Sequence, residues 1–284
     1  MNLFDSLVDS ALASQPSLSA LRPVVEKEIL HRDILREMSV AGLLDGLTFI
    51  GGTCLRDCYG SVRLSEDLDF TGGRAFDRST LSSLGQSLID GLKGKYGLEV
   101  IVSDPVRETG NVDTWKLKVV TRPETPHLPA QRINIDICAV DSHDRKPSMI
   151  LNHYRVDMGT DGLILYAESR EEILADKIVA LALRPNRVKN RDLWDILWLI
   201  QHGVVPNYAL VSLKLADRHV SPVEFNHLFE DRIESLRSGF ADYSFEIARF
   251  LPASASSVIT AQTGYWDVML SVMQGILSDL LRSA

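Results

Sequence analysis

Three aspartates stand in segments with strand-like patterning and could together hold a divalent metal ion. Asp67 and Asp69 flank Leu68, and because strand side chains alternate between faces, the two carboxylates point one way and the leucine the other. Asp136 lies within Ile133–Ile137 and projects away from the isoleucines. Like charges on one face repel, and a cation neutralises them. The pattern indicates a Mg²⁺ or Mn²⁺ site for phosphoryl transfer. Taken singly, such acids are more often exposed strand or turn residues.

A glycine-containing turn precedes the acids. Gly51, Gly52 and Thr53 follow the apolar segment Leu47–Ile50 and precede a short helical segment. Glycines let a phosphate approach the backbone, and the first amides of a helix donate to anions. By itself the turn is unremarkable, but a strand, a Gly-Gly-Thr turn, a helix and strand-borne acids in this order form a specific pattern.

This order of motifs resembles the AbiEii/AbiGii (MenT-like) nucleotidyltransferase toxins of the DNA polymerase β-like superfamily. The resemblance rests on residues 51–55 and 63–70, and it continues through residues 173–181 and 191–196. It implies an α/β (α+β) fold, with a polymerase β-like lobe built on a mixed sheet and followed by an all-helical lobe. It also implies transfer of a nucleoside monophosphate from an NTP to an acceptor such as the 3′ end of tRNA, with a cognate antitoxin encoded separately.

The resemblance carries over to individual residues of this chain. The implied catalytic residues are Asp67, Asp69, Asp136, Lys177 and Asp192, of which the first three are the metal ligands. The implied nucleotide-binding residues are Gly51, Gly52, Thr53, Arg63, Ser65 and Lys177. Periodicity alone would make Lys177 a lysine extending from an apolar stripe, and Asp192 a first-turn acid that favours the helix dipole. The resemblance instead places Lys177 on the triphosphate.

Two groups of basic residues are candidate contacts to phosphate or to the acceptor. The first is a basic loop made of Arg184, Arg187, Lys189 and Arg191. The second is the pair Lys116 and Lys118, which alternates with apolar residues and therefore shares a strand face. Each group is also consistent with a solvated loop or an exposed strand face.

The composition of the 284-residue chain is that of a globular protein, with 45% hydrophobic and 24% charged residues. Its formal charge of −8 means that a polynucleotide must bind at a local basic surface. Three cysteines without CxxC spacing predict neither a disulfide framework nor a zinc site. The N-terminus lacks a signal-peptide pattern and no long apolar run occurs, so we expect a cytoplasmic protein without a membrane partner.

Hydrophobic periodicity predicts the elements that position these residues. Predicted strands cover 47–50, 65–70, 98–102, 115–120 and 133–140, and predicted helices cover 21–41, 79–92, 171–183, 191–201, 208–216, 222–236, 240–250 and 265–282. Residues 252–257 are predicted to form a loop. We expect a nucleotidyltransferase domain with an N-terminal helix over residues 1–165 and a helical domain over residues 166–284, with the nucleotide bound between them.

Two other functions fit the same motifs. An enzyme that modifies a hydroxyl of a small molecule or protein would use the same metal site and triphosphate pocket. A non-catalytic nucleotide-binding protein is the second, although it would have no chemical need for all three acids.

Overall fold

A mixed sheet of seven strands organises the N-terminal part of the computed structural model, which describes residues 2–105, 110–125, 127–185, 187–262 and 264–283. The strands are β1 Thr48–Ile50, β2 Leu68–Thr71, β3 Glu99–Ser103, β4 Val112–Val120, β5 Gln131–Cys138, β6 Arg145–Met149 and β7 Ile164–Glu168. Their order is β3-β4-β5-β2-β1-β7-β6. The β2–β5 and β1–β7 pairs are parallel, whereas the β1–β2, β3–β4 and β4–β5 pairs are antiparallel.

Helices cover one face of this sheet. They are α1 Leu3–Ser14, α2 Arg22–Val40, α3 Gly51–Tyr59 and α4 Leu84–Tyr96, with 3₁₀ turns at Pro16–Leu21 and Arg78–Leu81. α2 packs on β5 and α4 packs on β3, over buried side chains such as Trp115, Leu117 and Ile135. The alternate residues of β4 and β5 are mostly polar or charged and are more exposed. One face of the sheet is therefore the core, and the other is free to carry the site.

Seven further helices form the C-terminal part of the described chain. They are α5 Arg170–Leu183, α6 Asn190–Gln201, α7 Tyr208–Asp217, α8 Pro222–Leu236, α9 Phe240–Ile247, α10 Ala253–Ala261 and α11 Tyr265–Ser283. α5 packs against α6, α7 and α8. Contacts divide the chain into two compact units, Met1–Ala167 and Glu168–Ala284. Among the described residues, no helix is both long enough and apolar enough to cross a membrane.

A buried lysine stabilises the C-terminal unit. The Lys214 side chain is 1% exposed, and its Nζ lies 2.9 Å from Glu168, 2.7 Å from Glu172 and 2.9 Å from Asp176. Burial raises the pKa of Glu168 well above its usual range, and the neighbouring carboxylates reinforce the shift. Burial alone would lower the pKa of Lys214, but the surrounding acids raise it instead. The cation thus joins α7 to α5 and to the residues that precede α5.

Several sequence predictions are wrong in their bounds or type. The strand predicted over 65–70 begins only at Leu68. The helix predicted from Ser79 begins at Leu84, after a 3₁₀ turn. The predicted loop over 252–257 overlaps α10, because Pro252 takes the position before the first helical turn, where proline does not interrupt hydrogen bonding. The sequence reading also missed α1, β6 and β7.

Candidate active site

Asp69 and Asp136 form an acid pair on the polar face of the sheet. They are register partners on the adjacent parallel strands β2 and β5, so their side chains leave the same face at neighbouring positions. Both residues are half-buried. Thr114, the register partner of Asp136 on β4, donates its hydroxyl to Asp136 Oδ1 over 2.6 Å and orients that carboxylate.

Asp67 lies in a bend immediately before β2, not within the strand. Its Oδ1 accepts the backbone N–H of Asn134 over 3.0 Å, and its carbonyl accepts the hydroxyl of Thr53. Each of these bonds joins a side chain to a backbone group, where a strand ladder would join two backbone groups, and this accounts for the late start of β2.

The carboxylates suit a divalent cation in part. Within the described part of the chain, no three acidic, histidine or cysteine side chains are grouped to hold a metal ion. Mg²⁺, however, usually binds one or two carboxylates together with waters and substrate phosphates. The in-register pair Asp69 and Asp136 has the hard oxygen donors that such an ion requires.

The glycine turn lies beside the acid pair. Gly51 is the first residue of α3 and has φ +76°, a left-handed conformation that favours glycine. A Cβ at Gly51 would lie 2.8 Å from Asp69 Oδ2. Ile50, the residue that caps α3, offers no side-chain hydrogen bond to the helix amides. The start of α3 therefore combines a close approach to Asp69 with an anion-binding helix end.

Arg63 and Ser65 lie against the second glycine of the turn. A Cβ at Gly52 would overlap Arg63 Nη2 and lie 3.3 Å from Ser65 Oγ. Arg63 is only 2% exposed, and its Nη1 donates to the Leu64 carbonyl over 2.9 Å. Thr53 is fully buried, with its hydroxyl bonded to Asp67. These predicted nucleotide-binding side chains come together, but they shape the turn from within the protein.

Helix α2 holds the segment that leads into the acids. Glu28 Oε1 accepts the backbone N–H of Ser65 over 3.3 Å, and His31 Nε2 lies 3.0 Å from the Glu66 carbonyl. Lys27 Nζ donates to Glu66 Oε1 over 2.9 Å. Burial would raise the pKa of Glu28, but the Arg56 charge and a hydrogen bond from Tyr154 outweigh it and lower that pKa.

His31 is buried in a neutral form. Its burial lowers the pKa to about 4, against the opposing influence of Glu28. At neutral pH its Nε2 hydrogen therefore donates to the Glu66 carbonyl without placing a charge in the core.

Lys177 and Asp192 meet in the C-terminal unit. Lys177 Nζ lies 2.6 Å from Asp192 and 3.0 Å from Asp195, and Arg184 donates to the other oxygen of Asp192. Burial would raise the pKa of Asp192, yet the two cations lower it far below its usual range. Asp192 is therefore a firmly ionised partner of Lys177, and its predicted role in catalysis remains a prediction.

The members of the basic loop differ in their surroundings. Arg184 binds Asp192, and the Arg191 guanidinium lies 4.6 Å from the centre of the Phe250 ring. Arg187 and Lys189 are exposed. The densest positive surface of this loop is therefore at Arg187 and Lys189, whereas Arg184 and Arg191 also serve packing within the unit.

Sequence reasoning missed four residues that support the site: Glu28, His31, Thr114 and Asn134. Asn134 and Thr114 carried a usable signal, because each is two residues from a charged residue on the polar face of its strand. Glu28 and His31 interrupt the apolar positions of α2, and a buried polar residue requires a partner. Nothing in the sequence indicated that their partners would be Ser65 and Glu66.

Comparison with models of known protein families gives a match over most of the chain. A family model described as "Nucleotidyl transferase AbiEii toxin, Type IV TA system" matches residues 33–268. The chain belongs to the AbiEii family. The match includes the glycine turn, the acid pair and the segment around Lys177, so the sequence-based resemblance to AbiEii toxins is confirmed. The protein is a nucleotidyltransferase of a toxin–antitoxin family.

Solved structures share the fold of this AbiEii chain. MenT4, a nucleotidyltransferase toxin from Mycobacterium tuberculosis, superposes with a TM-score of 0.53 at 16% identity, over 99% of this chain and 99% of its own. A candidate nucleotidyltransferase from Helicobacter pylori superposes with a TM-score of 0.50 at 17% identity, over 90% of this chain and 97% of its own. A search of curated proteins finds no match. The similarity confirms the expected fold class, a mixed-sheet nucleotidyltransferase lobe followed by helices.

Proposed function

We propose that this AbiEii protein transfers a nucleoside monophosphate from an NTP to the 3′ end of an RNA, and that the RNA is tRNA. Modification of that end would prevent aminoacylation and stop translation, which accounts for a toxin, and a separately encoded antitoxin would counteract it. The observation that carries the proposal is the in-register pair of Asp69 and Asp136 directly beside the glycine turn.

We further propose that Asp67, Asp69 and Asp136 hold Mg²⁺ or Mn²⁺ when nucleotide is bound. Such an ion would neutralise the carboxylates and the phosphates and polarise the reacting oxygens. The register of Asp69 and Asp136 supports this assignment, and the hydrogen bond from Asn134 N–H presents Asp67 in a fixed orientation.

Different residues of the chain bind the phosphates and accept the proton in the proposed reaction. The first amides of α3 bind phosphate oxygens at the glycine turn, and Lys177 is assigned to the triphosphate. The acceptor hydroxyl oxygen forms a bond to the α-phosphorus, the bond to the β-phosphate breaks, and pyrophosphate leaves. The hydroxyl proton passes to one of the two carboxylates of the acid pair. Arg63 and Ser65 act by holding Gly52 in place.

Incubation with labelled ATP, GTP, CTP or UTP and either purified tRNA or total cell protein tests the proposal. We expect label on tRNA, and we expect the labelling to require Mg²⁺ or Mn²⁺. It should be lost when the 3′-terminal nucleotide of the tRNA is removed before the reaction. Label on protein or on a small molecule would favour the first rival function. Nucleotide binding without any transfer would favour the non-catalytic one.

A further inference from the structure

Three cations stand in a row on the polar face of the sheet. Lys116 and Lys118 lie on β4, and Arg132 lies on β5 as the register partner of Lys118. Lys116 is the register partner of Asn134. Because register partners of an antiparallel pair share a face, Lys116, Lys118 and Arg132 form one surface, called here the basic row. Lys116 and Arg132 are exposed, and Lys118 is half-buried.

The basic row has no acidic partner within the part of the chain that the structure describes. None of its three side chains makes a salt bridge or side-chain hydrogen bond there. Other cations of the same unit are paired, as Lys95 is with Asp33 and Arg32 is with Asp57. In a chain with 38 acidic and 30 basic residues, such an unpaired group is unusual.

The row also carries a repulsive cross-strand pair. Lys118 and Arg132 face each other directly, and like charges in this arrangement destabilise a sheet. An anion bound between them would remove the repulsion. The surface therefore has a physical reason to bind phosphate that an ordinary solvated strand face with mixed charges lacks.

The basic row and the glycine turn lie on opposite sides of the acid pair in the sheet. In the strand order, β5 and β2 carry the acid pair, β4 lies on one side of them, and β1 with its glycine turn lies on the other. The row begins at Lys116, whose register partner Asn134 is two residues from Asp136 along β5. It ends at Arg132, which is four residues from Asp136. At about 3.3 Å per residue, Arg132 lies about 13 Å along β5 from the acid pair. On the neighbouring strand β3, Ile101 is the register partner of Lys118. The exposed Glu99, two residues from Ile101, lies at the end of the basic row that is far from the acid pair.

We propose that the basic row binds the phosphodiester backbone of a single-stranded RNA whose 3′ end reaches the acid pair. The inference rests on the proposed function and assigns the two substrates to opposite sides of the acids, the triphosphate on the β1 side and the acceptor on the β4 side. A triphosphate held at the glycine turn has no need of cations two or three strands away, whereas a polynucleotide leading away from the acids does. Backbone contacts of this kind position the strand without reading its bases.

The test compares two triple variants of the full chain that lose equal charge. One carries Lys116→Gln, Lys118→Gln and Arg132→Gln. The control carries Lys93→Gln, Lys146→Gln and Arg155→Gln, which replaces three exposed cations of the same unit that lie on α4, on β6 and in the loop after β6. Binding of a short fluorescein-labelled single-stranded RNA is measured by anisotropy over a series of salt concentrations, binding of Mg·ATP by calorimetry, and folding by thermal unfolding.

We expect the basic-row variant to bind RNA more weakly and to lose about 2 from the slope of log K against log salt, since each single-strand phosphate contact contributes about 0.7. The control variant should bind RNA like the wild type, and both variants should bind Mg·ATP like the wild type. An equal loss of Mg·ATP binding would move the row to the triphosphate, and unchanged RNA binding, or a wild-type chain that binds no RNA, would overturn the inference. If RNA binding falls as expected but the wild-type enzyme labels no RNA, the inference stands and the proposed acceptor is wrong.

Discussion

The contact between Gly51 and Asp69 joins two motifs that lie apart in the sequence. A side chain at position 51 would occupy the space of the Asp69 carboxylate, and its backbone conformation is one that other residues adopt at a cost. At the scale of single residues, the site therefore depends on an absent side chain as much as on the acids.

Asp69→Asn and Asp136→Asn should each reduce transfer by more than about a hundredfold, because loss of even an outer-shell group near a metal costs about ten- to a hundredfold. Stability should stay the same or rise, since removing one of two like charges on neighbouring strands relieves repulsion. Initial rates and thermal unfolding measure the two effects, with Asp45→Asn as an exposed control. Normal turnover in either variant would remove the acid pair from the mechanism.

Gly51→Ala should lower both stability and activity, whereas Gly42→Ala should lower stability alone. Both glycines have positive φ, +76° and +68°, so alanine costs about 1–2 kcal/mol at each. Only at Gly51 does the new methyl group meet Asp69, because nothing lies within 4 Å of a Cβ at Gly42. Urea unfolding and initial rates separate the effects, and equal activity in the two variants would contradict the proposed coupling of turn and acid.

At the scale of elements, α2 acts on the site through the backbone that leads into its acids. Its polar side chains bind the Ser65–Glu66 backbone, and Thr53 of α3 binds the carbonyl of Asp67. The two helices thereby fix the segment that carries the first acids. His31 makes this support sensitive to pH.

The stability of the fold should fall as the pH decreases from about 6.5 towards 4 through His31. Its folded-state pKa, about 4, lies below the ordinary value, so the unfolded chain takes up the proton first as the pH falls. Protonation therefore favours the unfolded state over the folded state. One such histidine costs about 2 kcal/mol at pH 5 and nothing above pH 7. His153 has the same sign, and Asp57, whose pKa burial raises to about 6, has the opposite sign.

Urea unfolding at neutral and acidic pH tests this contribution. His31→Gln keeps a donor for the Glu66 carbonyl but does not titrate, so its stability should vary less with pH than that of the wild type. The exposed His127→Gln serves as control. An identical pH dependence in His31→Gln and the wild type would contradict the prediction.

Lys177→Met should weaken NTP binding and also destabilise α5 and α6, because the fully buried Asp195 would lose its ion pair with Lys177. Breaking a buried pair costs about 3–5 kcal/mol. The double variant Lys177→Met with Asp195→Asn also removes the buried Asp195 charge and should regain stability. Calorimetry then decides: if the double variant binds NTP like the wild type, Lys177 is a structural residue.

The elements with regular patterning are predictable from the sequence, and the site that they build is only partly so. β5 and α5 were predicted because apolar residues recur at periods of two and of about 3.6. β6 was missed because Arg145–Met149 is polar, contains a proline and lies at the edge of the sheet. The facing of Asp69 and Asp136 depends on pairing between strands distant in sequence, and no local pattern encodes it.

At the scale of the whole molecule, the charge of −8 coexists with two local positive surfaces, one in each unit. Most cations elsewhere are engaged in salt bridges, including the buried Arg56 with Glu28. We therefore expect a polyanion to be attracted chiefly to the basic row and to the exposed members of the basic loop.

Arg187→Glu combined with Lys189→Glu should weaken RNA binding and flatten its salt dependence more than it affects binding of free NTP. The physical reason is that both residues are exposed, while Arg184 is bound to Asp192. Anisotropy with labelled RNA and calorimetry with NTP measure the two affinities, with Arg237→Glu and Lys93→Glu together as control. Equal losses would assign the loop to the triphosphate, and no loss would leave it a solvated turn.

Buried Lys214 restricts how sequences of this kind can diverge. Its charge is shared among Glu168, Glu172 and Asp176, so a neutral residue at 214 would remove a cation that two buried carboxylates contact. Loss of the lysine is tolerable only in a lineage where the two most buried acids, at 168 and 172, have already become neutral. These positions should therefore covary as a set, and substitution at 214 should come last in the order of mutational steps.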